Sequence, residues 1–260
     1  MALTNKTIAS TYGDILQVEN SGSGRTASGT AIKDGLGQST ALTLGQNKAQ
    51  VKPSSDSGDA FLVEASDGTN LLTVDTTNSA VKAGSTQSYV NTQIKEFGTF
   101  DMSPTAGNHY PMISMTALDS VSNTDYTPIT FGTGTDPQTT YTIASSAEVF
   151  VPVLWYIPTS ITIDEIRVIA SADGATTLNF HLFSYDMATG TGSGAGDLSG
   201  GTLLAHNGSA LTVGDDRITS ATLTVDSADV VADKVVLAFV ENIGGTDDVT
   251  AQLIVKYHYQ

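Results

Sequence analysis

The chain has 260 residues, a net charge of −16 and no cysteine, with 40% hydrophobic and 15% charged residues. Without cysteine, a disulfide framework, a cysteine zinc site and a thiol nucleophile are all excluded. No stretch approaches the ~18 apolar residues of a membrane span, so membrane insertion is not expected.

Thr, Ser, Gly, Asn and Asp fill the space left by apolar and charged residues. Thr favours strands, and Gly, Asn and Asp supply the positive φ of tight turns, so the composition predicts an all-β fold. The opening MALTNKTIAS has one Lys and no apolar run behind it, which is not the pattern of a signal peptide. Synthesis as a soluble protein in the cytoplasm is the expectation. Up to Glu96 seven Lys/Arg stand against nine Asp/Glu, a net of −2. From Phe97 onward four (Arg167, Arg217, Lys234, Lys256) stand against eighteen, a net of −14. Phosphate backbones would be repelled by so acidic a second half, which argues against a nucleic-acid partner.

Short strand-like pieces come first, over residues 14–19, 41–44, 50–52, 61–65, 71–75 and 80–82, separated by Gly-, Ser- and Asp-rich turns. Leu42 and Leu44, Phe61 and Val63, and Leu72 and Val74 alternate as strand residues do. Asp67-Gly68 between two apolar runs predicts a hairpin, and residues 76–78 a second turn. For its length this region has few large apolar side chains. Alone it should be marginal, because burial must offset the entropy of ordering the backbone. Identical chains wrapped together would remove the shortfall; disorder is the alternative.

Ser85 and Thr86 ahead of QSYVNTQIKEF predict a capped neck helix over residues 85–97. Val90, Ile94 and Phe97 fall at i, i+4 and i+7, the spacing of a coiled coil around a three-fold axis, or of a helix packed on its own domain.

Longer apolar strands follow, expected at 110–118, 139–143, 149–157, 161–170, 177–186, 218–225, 235–240 and 249–259. Residues 161–168 and 178–182 alternate with one wet and one dry face. Near-continuous runs at 149–157 and 235–240 predict strands covered on both sides. Eight or so such strands predict a β-sandwich, jelly-roll-like in strand number, with residues 189–201 as a long flexible loop.

NKTIASTYGDILQVENSGSG, TAIKDGLGQSTALTLG and LLTVDTTNSAVKAG resemble the N-terminal regions of fibre and spike proteins of tailed bacteriophages, marine ones in particular. WYIPTSITIDEIRVIAS, TTLNFHLFSYD and KVVLAFVEN resemble the head domain of the same group. The resemblance implies a homotrimeric structural protein of the virion. Residues 1–20 would dock on another virion protein, with Ile8, Tyr12, Ile15 and Leu16 as docking candidates. A β-structured shaft would span 21–84, the neck 85–97, and a head 98–260 would meet a host-surface glycan or protein. Tail and capsid attachment both stay open. At 260 residues the chain is short for a receptor-binding tail fibre, which keeps a head fibre or capsid decoration protein in contention.

Sites for chemistry are sparse. The loop 189–201 has the glycines of a phosphate loop without its Lys. The histidines are His109, His181, His206 and His258; His181 and His258 would share a face, and with it a metal, if their strands pair. The turns at Asp215-Asp216 and Asp247-Asp248 offer oxygen ligands to calcium without EF-hand spacing. No catalytic triad or paired-carboxylate motif stands out, and a polysaccharide-degrading enzyme remains only an alternative. Trp155 is expected in the core, with Tyr185, Tyr257 and Tyr259 as packing residues or glycan platforms. No cofactor is expected.

Overall fold

The structure, a computed structural model, describes residues 17–18, 29–34, 36–114, 129–143 and 150–260. Among them the fold is all-β, with no helix, and the chain divides into two compact units, Met1–Val90 and Asn91–Gln260.

The first unit holds two antiparallel four-stranded sheets. One comprises β1 (Gln17–Val18), β2 (Thr30–Lys33), β3 (Ser39–Leu44) and β4 (Ala49–Val51), in that order. The other is a meander of β5 (Phe61–Glu64), β6 (Asn70–Asp75), β7 (Ala80–Ala83) and β8 (Ser88–Tyr89). Both turns expected in the meander are present. Gly68 takes φ +85° in the first, where its N–H donates to the Ala65 carbonyl and Asp67 Oδ1 accepts the Thr69 N–H at 2.9 Å. In the second, the Asp75 carboxylate accepts both the backbone N–H and the side-chain amide of Asn78, at 3.0 and 2.7 Å.

The second unit contains β9 (Thr92–Met102), β10 (His109–Pro111), β11 (Trp155–Tyr156), β12 (Ile161–Ala172), β13 (Thr176–Met187) and β14 (Leu198–His206). After them come β15 (Leu211–Val213), β16 (Thr219–Thr222), β17 (Thr224–Val225), β18 (Asp229–Val230), β19 (Lys234–Asn242) and β20 (Val249–Tyr259). A five-stranded sheet runs β16-β12-β20-β9 with β18 on β12. A seven-stranded sheet runs β10-β19-β13-β14-β17 with β11 on β19 and β15 on β13. Ile166, Val168, Leu253 and Val255 of the first sheet join Leu178, Phe180, Ala238 and Val240 of the second in one buried cluster, a sandwich-like arrangement. On the other side of the seven-stranded sheet, Phe183, Tyr185, Leu237 and Phe239 form a second cluster with Phe131, Phe150 and Val153. β19 is thus covered on both sides, as its unbroken apolar run predicts.

The expected neck helix is not formed. Residues 88–89 are strand β8, and 92–102 are strand β9, laid antiparallel along β20 from Thr92↔His258 to Met102↔Val249. A helix of about three turns is marginal by itself, whereas β20 offers a full-length ladder. Ile94 and Phe97 lie three apart, so the strand's two-residue period sends them to opposite faces: Phe97 is 1% exposed and Ile94 56%. The second unit accordingly starts at Asn91 rather than at residue 98.

Other expected strands are shorter than the apolar runs suggest. Of the run 149–157, residue 149 lies outside the described residues and only Trp155–Tyr156 is strand in the rest; Phe150 to Leu154 turns, with Pro152 unable to donate to a ladder. Residues 139–143 contribute a single bridge, Tyr141↔Leu198. The run from 110 gives β10 and a single bridge, Gly98↔Ile113, and 115–118 lie outside the described residues. Conversely, Leu198–Gly201, expected in the flexible loop, open strand β14.

Candidate functional site

Cross-strand pairing places Phe61 opposite Val74 and Val63 opposite Leu72, then Val74 opposite Val81 and Leu72 opposite Ala83. Directly paired residues share a face, so these six apolar side chains form one surface of the β5–β8 sheet. It is partly open: Phe61 is 42% exposed, Val63 40% and Val81 37%, while Leu72, Val74 and Ala83 are half-buried. The other face is mixed: Thr73 and Asp75 are buried, Leu62 lies opposite Thr73, and Leu71 is 45% exposed. Thr73 donates to Gln87 Oε1 at 2.6 Å, and Gln87 Nε2 donates to the carbonyls of Asn70 and Gly84. Up to Val90, no apolar side chain among the described residues is buried. The β1–β4 sheet repeats the theme, with Leu42 opposite an exposed Val51.

The second unit has a cleft of about 470 Å³ on the outer side of the seven-stranded sheet, lined in part by Asp136, Asn179, His181, His206 and Asn207. Sheet register assembles it. His181 on β13 is directly opposite His206 on β14, Asn179 is opposite Glu241 on β19, and Glu241 is opposite His109 on β10. The His181 ring stands 5.0 Å from His109, edge-on, and 6.4 Å from His206 with planes 12° apart. His181 Nε2 is 3.5 Å from Asp136 Oδ1, and His206 Nδ1 is 2.7 Å from Asp226 Oδ2. His109 donates from Nδ1 to the Gly132 carbonyl, while its Nε2 and His181 Nδ1 are buried without a hydrogen-bond partner. Burial first, then the neighbouring His109 and His206, push the His181 pKa down to about 3, so its ring is neutral at physiological pH. Asn207 fixes the wall: its Oδ1 accepts the Phe180 N–H and its amide donates to the carbonyls of Leu178 and Ser209.

No protein-family model matches this chain, and no curated protein is significantly similar to it.

The residues singled out from the sequence are scattered over both units. Ile8, Tyr12, Ile15 and Leu16 lie outside the described residues. Val90, Ile94 and Phe97 form no common stripe: Val90 follows β8 in a turn, Ile94 is exposed and Phe97 is core. His258 belongs to β20, which does not pair with β13, so it does not meet His181; its Nδ1 lies 2.9 Å from Asp164 Oδ1. Asp164 reaches it because a bulge between Ile163 and Glu165 shifts the phase of β12. Instead His181 meets His109 and His206, a juxtaposition visible only once strand register is known.

The acidic turns are tied into the fold. Asp216 donates its N–H to the Ala172 carbonyl, Asp248 accepts from the Ser103 hydroxyl, and the Asp248 N–H donates to Asp173 Oδ1. Among the described residues no three His, Asp or Glu side chains stand together as a ready metal cage. Trp155 packs between Phe97 and Tyr257. Tyr185 is wholly buried and donates to the Gln138 carbonyl, while Tyr259 is 39% exposed.

Proposed function

We propose that this chain is a non-enzymatic structural protein that works as a homo-oligomer: a trimeric fibre or spike of a tailed-phage virion. Its N-terminus docks on another virion protein, and the unit from Asn91 onward is displayed for adhesion to a host surface. The reading rests on one observation above all, the partly open apolar face of Phe61, Val63, Leu72, Val74, Val81 and Ala83 in a unit whose described part buries no apolar side chain. An apolar sheet face left open at Phe61, Val63 and Val81, in a unit with no buried apolar side chain among its described residues, is half of an interface. Because the unit needs that cover in order to fold, an obligate partner suits it better than an occasional one, and a second copy of the same chain is always at hand. The number three, the virion and the host surface come from the resemblance to phage fibres; the sheet itself asks only that copies meet.

The test is the native mass of the full chain by light scattering behind size exclusion. Three times the 26.9 kDa chain is expected, and a stable folded monomer overturns the reading. Labelled antibody on intact particles then separates the tail fibre from the alternative, a head fibre or decoration protein on the capsid.

A further inference from the structure

The five-stranded sheet has one face in the core and the other open. Register sorts its open face into rows. Glu165 of β12 lies opposite Lys256 of β20, which lies opposite Ile94 of β9. In the next row Arg167 lies opposite Ile254, which lies opposite Glu96. None of these six is buried, whereas Ile166, Val168, Leu253, Val255 and Phe97 on the other face are. We propose that this face joins the second units of neighbouring copies, the β9 edge of one copy seated against the β16 edge of the next. The contact rests on the homo-oligomer reading above and says where its heads touch.

Apolar exposure marks the two edges. Phe100 and Ile218, 81% and 80% exposed, are the most exposed large apolar side chains among the described residues. Phe100 is on β9 and Ile218 immediately precedes β16, and these are the opposite edge strands of the one sheet. Beside Phe100 runs a groove of about 340 Å³, lined also by Glu96, Gly98, Ile113 and Gln252. A projecting isoleucine at one edge and an apolar groove at the other fit when copies are arranged in sequence around an axis.

Charge identifies the occupant as a second copy. From Phe97 onward the chain carries four Lys/Arg against eighteen Asp/Glu, so an average patch of its surface repels another copy. On the two rows the signs balance, Arg167 and Lys256 against Glu96 and Glu165. At the Thr162 end of the face, Asp164 lies 2.9 Å from His258 Nδ1 and Asp229 accepts the Thr162 hydroxyl at 2.7 Å. Glu96 is on the edge strand β9, while Arg167 is on β12 beside the other edge strand, β16. Two strand spacings, about 10 Å, keep them apart within one chain. In a heterologous contact, where different patches of each copy meet, the Arg167 side of one copy faces the Glu96 side of the next. The neighbour Arg167 has in its own chain, Glu165 at 3.2 Å, is a solvent-exposed pair of little strength and leaves the guanidinium free to share.

Backbone geometry sets the kind of contact. On the outer side of β9, Gly98 and Ile113 exchange both N–H···O bonds at 2.8 Å. That exchange interrupts the free edge, so another copy is met by side chains across the face rather than by an added strand. A heterologous contact of this kind closes into a ring when its rotation divides the full turn.

Cysteine cross-linking of the full chain tests this. The natural sequence has no cysteine, so Phe100→Cys/Ile218→Cys puts thiols only at the two edges. Three strand spacings, about 14 Å, separate them in one chain, too far for an internal disulfide. Native mass is read first, under reducing conditions, and then the oxidised protein is run on a denaturing gel. An oligomeric mass is expected, with covalent species up to that full oligomer. Each single variant should give covalent pairs at most, and a control pair, Phe100→Cys/Thr202→Cys, with its second thiol on the other sheet, no cross-linked oligomer. In the Phe100→Cys/Ile218→Cys background, Glu96→Arg should lower the cross-linked fraction about threefold or more, and adding Arg167→Glu should restore it. Phe100, Ile218, Thr202, Glu96 and Arg167 are all exposed, and far-UV circular dichroism confirms that the variants fold. A monomeric mass overturns the oligomer reading and this contact with it. An oligomeric mass without cross-linking leaves the face to a different occupant and overturns the contact alone. Equal cross-linking in the control pair, or a fraction unmoved by Glu96→Arg, overturns it as well.

Discussion

Phe61 lies directly opposite Val74 across the β5–β6 ladder, and Val74 lies opposite Val81 on β7. Three strands therefore offer one apolar row to whatever covers the sheet. Phe61→Asp or Val81→Asp would put a charge where the proposed interface excludes water, a cost of several kcal/mol per chain. The expected outcome is dissociation at concentrations where the wild type is fully assembled, seen as a drop in native mass. Leu36→Asp serves as control, since Leu36 is 76% exposed in a turn and should leave the mass unchanged.

A fragment of residues 91–260 should fold alone, because both apolar clusters lie within it. A fragment starting at residue 98 loses the ladder from Thr92 to Phe97 along β20. It also loses Phe97, which packs on Trp155. It should be far less stable in thermal melts followed by circular dichroism. As a point test, Phe97→Ala should cost about 3–5 kcal/mol, and Ile94→Ala within about 0.5 kcal/mol in the isolated fragment.

The buried His181 makes the second unit sensitive to acid. Its folded pKa, about 3, lies below the ordinary 6.5 because of burial and of the neighbouring His109 and His206. The unfolded chain therefore takes up a proton that the folded chain refuses. Stability is fully present above pH 6.5 and is lost as pH falls toward 3. The wild type should lose about 3 kcal/mol by pH 4 from this residue. Urea midpoints of the 91–260 fragment at pH 7 and pH 4 check it: the drop should be smaller in His181→Gln by that amount. Equal drops in the two proteins would contradict the assignment.

Gly201 locks residue 139 against β14. A Cβ built there would stand 2.7 Å from both Thr139 Cα and Tyr185 Cε1, and backbone cannot yield as a flexible side chain can. Gly201→Ala should destabilise the fragment by about 1–3 kcal/mol, measured by urea unfolding. Gly244→Ala, with nothing near its Cβ position, should be close to neutral.

Strands β12, β13, β19 and β20 were legible because each is long and alternates or runs apolar without a break. β9 was not. Val90, Ile94 and Phe97 satisfy a helical period over so few residues that only the ladder with β20 decides against it. β14 hid behind Gly200 and Gly201, which read as loop, yet Gly200 takes φ +60° beside Asp186 and Gly201 serves where the chain passes close to residue 139. The face of Phe61, Val63, Leu72 and Val74 could be foreseen from alternation, though not the burial of Thr73 on the opposite side. That depends on Gln87 folding back onto Thr73 at φ +51°. The histidine cluster was invisible for a different reason. His109, His181 and His206 come from three strands far apart in sequence, and only register brings them into one row.

The half-open apolar face of β5–β8 also bears on the order of events when the protein is made. In the proposed assembly that sheet gains its cover only when chains collide, so its folding and the association of copies are one step. After dilution from denaturant, the second unit should regain structure at a rate indifferent to protein concentration, while the first should recover faster the more concentrated the chains. A cell making this protein would then hold a pool of chains with finished heads and unfinished stems, and the level of expression itself would set how fast complete particles of the oligomer accumulate.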